Sequence, residues 1–200
     1  MCPPPDDHSS RLNCVSGAAL PDEFSSEERS LLLRLAHQAI FAALEQREIS
    51  LLPPSPHLAE PRGAFTTLYY RDDLRGCVGY VFPTTSLYRT VAESACGAAF
   101  NDSRFSPVTR DQAAELKISL SVLSPLQHVL PEQVEIGRHG LLISLGYYRG
   151  LLLPQVPVEH GWDRIAFLEQ TCRKAGLPLN AWQTGAKLEA FTAEVFSDPQ

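Results

Sequence analysis

The sequence predicts an α+β fold: a mixed, largely antiparallel sheet with flanking helices in one compact unit. Three observations carry that prediction. Strand patterns joined by turn residues outnumber a strict strand-helix-strand rhythm. Apolar residues recur at helical spacing in only three long stretches. The composition is that of a globular chain, with 44% of the 200 residues apolar and 20% charged. A chain of this length buries roughly 70% of its unfolded surface, enough for a core without a disulfide or a metal.

Residues 1–24 hold Pro3, Pro4, Pro5 and Pro21 among unpatterned polar residues, so a disordered leader is expected there, with the folded domain over 25–198. Ser25 and Glu28 have capping-box spacing, and Leu32, Leu35, Ala36, Ala39, Ile40 and Ala43 follow at helical spacing to about Glu48. Pro53, Pro54, Pro56 and Pro61 impose an extended connection. In "GAFTTLYYRDDLRGCVGYV", Phe65, Thr67 and Tyr69 alternate with Thr66, Leu68 and Tyr70. Arg71-Asp72-Asp73 reads as a turn, and residues 74–82 return as the second arm of a hairpin.

After Pro83 the spacing of Leu87, Val91, Ala95, Ala98 and Ala99 predicts a helix ending near Asn101, capped by Thr84, Thr85 or Ser86. Thr109 and Gln112 start a short helical turn, and Ile118, Leu120 and Val122 alternate with Lys117, Ser119 and Ser121 in a half-buried strand. From Val134 the glycines cut short strands, with Tyr147-Tyr148 at a hairpin tip. Trp162, Ile165, Leu168 and Cys172 mark the last long helix, stopped by Gly176, and "LEAFTAEVF" reads as one closing strand.

The net charge of −6 argues against a broad electrostatic hold on nucleic acid or an anionic membrane. No apolar run reaches the ~20 residues that span a bilayer. Cysteine occurs at 2, 14, 77, 96 and 172, an odd count with no Cys-x-x-Cys, and the opening residues lack a secretory pattern; a reduced, cytoplasmic setting is expected. The six histidines never fall at ligand-like spacing, and no glycine-rich loop leads from a strand into a helix, so neither metal nor cofactor is expected.

Chemistry concentrates in "LRGCVG". On a strand Arg75 and Cys77 share a face, and a guanidinium beside a thiol favours the thiolate, the nucleophilic form. Gly76 and Gly79 remove side-chain cover for a ligand, or mark close packing against another backbone. Cys96 and Cys172 fall on apolar helix faces and read as core. Asp102 and Arg104, in "AAFNDSRFSP", are candidates for orienting a polar ligand, or for pairing with each other. Gln155 ends an apolar strand, and Glu159 or His160 in the turn that follows is a candidate proton acceptor for the cysteine.

"LRGCVG" resembles the Leu-Arg-Gly-Cys-Ile-Gly hexapeptide of the AMMECR-type domain. Further segments match in family order: "GAFTTLYY", "AAFNDSRFSP", "LKISLSVLSP", "GLLISLGYYRGLLLPQV" and "EHGWDRIAFLEQTCRKAGLP". The chain is similar in particular to members called AmmeMemoRadiSam system protein A. The resemblance implies a larger and a smaller lobe with the hexapeptide near the cleft between them. It also implies association with a Memo-like protein and a radical S-adenosylmethionine enzyme. Leu74, Arg75, Gly76, Cys77, Val78 and Gly79 are the functional positions it carries over, with Val78 in place of isoleucine and Ser119 where many relatives are expected to be acidic.

The leading expectation is therefore an enzyme, or a component of an enzyme system, with Cys77 as nucleophile or redox centre. The rivals are a non-catalytic module that binds a protein, peptide or small ligand, and a nucleotide or nucleic-acid binder stacking bases on Tyr69, Tyr70, Tyr147 and Tyr148.

Overall fold

The computed structural model describes residues 23–82 and 84–199. Helix α1 (Ser26–Leu44) starts where the sequence predicts. The Ser25 side chain accepts from the Glu28 N–H while the Glu28 carboxylate accepts from the Ser25 N–H, and Leu32, Leu35 and Ile40 are buried on one stripe. A short α2 (Pro56–Ala59) precedes the hairpin of β1 (Ala64–Tyr70) and β2 (Asp73–Tyr80). Helix α3 (Leu87–Cys96), capped by Ser86, runs on as a π-helical turn, Gly97–Asn101. Then come α4 (Arg110–Ala113), with its Thr109–Gln112 capping box, and β3 (Leu116–Leu123).

The second half holds β4 (Gln127–His128), β5 (Gly140–Leu145), β6 (Tyr148–Leu152), α5 (Gln155–Glu159), α6 (Arg164–Lys174), β7 (Lys187–Phe191) and β8 (Ala193–Ser197). The strands divide between two four-stranded sheets, ordered β2-β1-β3-β8 and β4-β7-β5-β6, each antiparallel throughout. Each has its own core. Helices α1 and α3 cover one face of the first sheet over Leu68, Ile118 and Leu120, and α6 packs on the second over Leu141 and Ile143. Each buried aliphatic side chain contributes roughly 1.5–3 kcal/mol relative to its exposed state. Among the described residues no helix is long and apolar enough to cross a membrane.

Two expectations are corrected. "LEAFTAEVF" is not one strand: β7 closes the second sheet, Thr192 makes the crossing, and β8 joins the first. Thr192 is held there by Ser124, whose N–H donates to the Thr192 carbonyl and whose Oγ accepts the Thr192 N–H, both at 2.9 Å. The alternation breaks at Ala190-Phe191, both buried, but such a break does not say which sheet the next strand joins. Phe24, assigned to the leader, belongs to the core: it is 1% exposed, stacks on His57 at 4.7 Å and meets Phe196. The leader up to residue 22 lies outside the described residues.

Candidate functional site

Cys77 lies on β2, an edge strand, opposite Thr67 of β1. Gly76 turns to the helices and Cys77 to the other face, because neighbouring side chains on a strand alternate. On that face the register aligns Cys77, Thr67, Ser119 and Ser197 across all four strands. They form a polar row. The Thr67 hydroxyl donates to the Cys77 Sγ at 3.3 Å, and the Ser197 hydroxyl donates to Ser119 Oγ at 2.9 Å. Beside the far end of the row, Tyr69, Asp72, Lys117 and Asp198 help enclose a shallow hollow of about 490 Å³.

The backbone of Cys77 is tied from outside the sheet. Its N–H donates to Asp102 Oδ2 at 2.9 Å, and its carbonyl accepts from Arg104 Nη2 at 3.4 Å. Arg104 also grips Asp102, with Nη2 at 2.7 Å from Oδ2 and Nε at 3.0 Å from Oδ1. The two side chains thus replace the missing neighbour of an edge strand, giving it one rung of donor and acceptor. The Arg104 bond first, and the Cys77 N–H next, hold the Asp102 carboxyl well below the usual carboxylate range. The π-helical turn delivers Asp102 to this point, immediately after Asn101.

Arg75 departs from expectation. A bulge between Leu68 and Tyr69 leaves Arg75 without a partner on β1, which resets the alternation on which the shared face with Cys77 depended. Its Nη2 donates instead to the Pro107 carbonyl at 3.3 Å and to Gln112 Oε1 at 3.1 Å, pinning the segment that follows the π-helical turn. The guanidinium bonded to Cys77 is that of Arg104.

The glycines are filled by the protein itself. A Cβ on Gly76 would lie 2.1 Å from the Ala98 carbonyl oxygen, and one on Gly79 would lie 2.3 Å from the Phe65 ring. Close approach of backbone and ring, rather than ligand access, is what these positions serve. Val78 packs toward Gly97, and Leu74 is exposed beside Tyr69.

The AMMECR1 family model matches residues 33–196, from within α1 to the penultimate residue of β8. The chain belongs to the AMMECR1 family. It is 43% identical over 192 residues to protein MK0488 of Methanopyrus kandleri, covering 90% of this chain and 92% of that one. A protein of Aquifex aeolicus is 38% identical over 179 residues, covering 84% and 92%. The crystal structure of uncharacterized protein PH0010 from Pyrococcus horikoshii shares the fold with a TM-score of 0.73 at 39% identity, over 88% of this chain and 93% of that one.

Other expected site residues of this AMMECR1 chain stand elsewhere. Glu159 ends α5 and His160 stacks on Trp162 at 4.7 Å; neither side chain makes a hydrogen bond or ion pair with the hairpin. Gln155 is exposed in the first turn of α5. Cys96 and Cys172 sit in the cores, where burial pushes both thiols up. Among the described residues no group of three or more His, Cys, Asp or Glu is placed to hold a metal ion. Thr67 and Ser197 were missed. Thr67 alternates visibly on its strand, but only the register shows that it faces the thiol.

Proposed function

We propose that this AMMECR1 chain is a thiol-dependent component of an enzyme system, with Cys77 as its nucleophile or redox centre. The observation that carries the reading is the Thr67 hydroxyl directed at the Cys77 sulfur on the sheet face turned away from the helices, with the Arg104 guanidinium held against the same residue. A cysteine sulfur can attack an electrophile, and the Thr67 hydroxyl fixes where this one points. The Asp102–Arg104 rung fixes the backbone that carries the sulfur. Glu159 and His160 make no contact with it and take no part in this reading.

Replacement separates the roles. Cys77→Ser and Cys77→Ala, each checked for folding, are expected to lose complementation in a strain lacking the gene. Retained activity in Cys77→Ser would sink the nucleophile. Thr67→Val is expected to slow iodoacetamide alkylation of Cys77, and an unchanged rate would remove the hydroxyl from the argument. A Memo-like protein and a radical S-adenosylmethionine enzyme are the partners the family resemblance suggests. Affinity purification of the tagged chain from its own host, compared with Cys77→Ser, tests both.

A second reading has its own support. Leu74 (43% exposed), Tyr69 and Val195 (62% exposed) lie on or beside the same sheet face and suit a binding module in which Cys77 only packs. Substituting Tyr69 and Val195 by serine would then abolish complementation while Cys77→Ser keeps it.

A further inference from the structure

Where the chain crosses between its sheets, two hollows share Ser124 and Phe191 as a common wall. One is a cavity of about 120 Å³ walled by Gly63, Val81, Leu123, Pro125 and Leu126, with Arg62, which is paired with Glu23 and Glu60, also in the wall. The other is an open basin of about 460 Å³ presenting Gln127, His128, Gln133, Arg138 and His139. Neither is lined by Cys77, and neither contributes to the function proposed above.

The cavity is the right size for a short apolar group, since an apolar cavity of ~150 Å³ stays dry and accepts a benzene-sized molecule. The basin supplies donors. Gln133 Oε1 already accepts the Leu130 N–H at 2.9 Å, which leaves the amide nitrogen as its free end. His139 Nδ1 accepts the Glu135 N–H at 3.1 Å, which leaves the proton of the neutral ring on Nε2. Burial keeps that ring neutral, opposed by Glu135 and assisted by Arg138. Glu135 also lines the basin and is paired with Arg138 at 3.1 Å, so its charge is balanced and the donors left over, on Gln133 and His139, suit a hydrogen-bond acceptor.

We propose that the two hollows form one binding site for a small amphiphile, its apolar end beside Phe191 and its head, a carboxylate or an amide carbonyl, accepting from Gln133 and His139. An apolar wall with a few convergent donors is the usual make-up of a small-molecule site.

Amide NMR titration of the full chain with acetate, butyrate and hexanoate, and with hexanamide, tests the proposal at concentrations up to about 10 mM, which resolves millimolar affinity. Saturating shifts at Ser124, Leu126 and His139 are expected, with affinity rising about fourfold for each methylene added until the cavity is full. Hexanoate and hexanamide separate a charged head from a neutral one, and saturation by either supports the site. Leu126→Trp should plug the cavity and weaken hexanoate about tenfold or more, and His139→Phe should remove the head contact. No saturable shift with either head, or equal affinity along the carboxylate series, overturns the proposal. The series on the unmodified chain decides the matter even where a variant fails to fold.

Discussion

Gly76→Ala is the sharpest test of how the hairpin is built. The added carbon would fall 2.1 Å from the Ala98 carbonyl oxygen and 3.0 Å from its carbon, both backbone atoms of the π-helical turn. Ordinary carbon-oxygen contact begins near ~3.3 Å, so turn and strand must separate by about 1.2 Å. A retreat of that size also carries Asp102 out of reach of the Cys77 N–H, now 2.9 Å away. Over-packing costs about 1–3 kcal/mol, and the upper end applies here because a helical carbonyl cannot rotate aside as a side chain can. For a chain of this length about 3 kcal/mol lowers Tm by roughly 6–12 °C. Gly97→Ala is the comparison: its added carbon meets a Val78 methyl at 2.9 Å, on a helical turn where alanine is otherwise favoured. Urea unfolding followed by circular dichroism should rank Gly76→Ala well below Gly97→Ala and wild type. A loss within about 0.5 kcal/mol of wild type, or equal to that of Gly97→Ala, would refute the close-approach argument and return Gly76 to the role of clearing space for a ligand.

Three further outcomes are expected. Because Arg104 and the Cys77 N–H hold Asp102 below its ordinary range, its contribution to stability is complete above the unfolded value near ~3.9 and is lost as pH falls. Asp102→Asn should therefore flatten the acid limb of stability against pH, and parallel curves for variant and wild type would contradict this. Burial lowers the pKa of His139, so on acidification the unfolded chain takes up its proton first, and stability declines as pH drops below about 6.5. An imidazole NMR titration should place the folded midpoint below that value with the neutral proton on Nε2; a midpoint at or above it would count against the burial. Phe24→Ala should cost about 3–5 kcal/mol, read as a lower urea midpoint at unchanged slope, whereas a surface-like loss below 0.5 kcal/mol, roughly the spread of neutral surface changes, would place Phe24 outside the core.

Much of the candidate site was visible as a place before it was visible as an arrangement. The hexapeptide on the second arm of a hairpin, the helix ending near Asn101 and the polar turn at Asp102 and Arg104 all follow from neighbouring residues. That Asp102 reaches Cys77 does not, because the two stand 25 positions apart with a π-helical turn between them and neither strand alternation nor helical spacing fixes how two elements meet. Arg75 shows the same limit. The rule that side chains two apart share a face holds for a regular strand, and the bulge that suspends it is set by pairing with β1.

The α+β class, the capping boxes at Ser25 and Thr109, the hairpins and the apolar stripes of α1, α3 and α6 are legible in the chain alone, since each depends on hydrogen bonds and burial within a few turns of chain. Other features emerge on folding: the division into two sheets at Thr192, Phe24 in the core, the glycines filled by Ala98 and Phe65, and the row of Cys77, Thr67, Ser119 and Ser197. Those features depend on which strands become neighbours and in what register, and a two-residue period is the same whichever neighbour a strand finds.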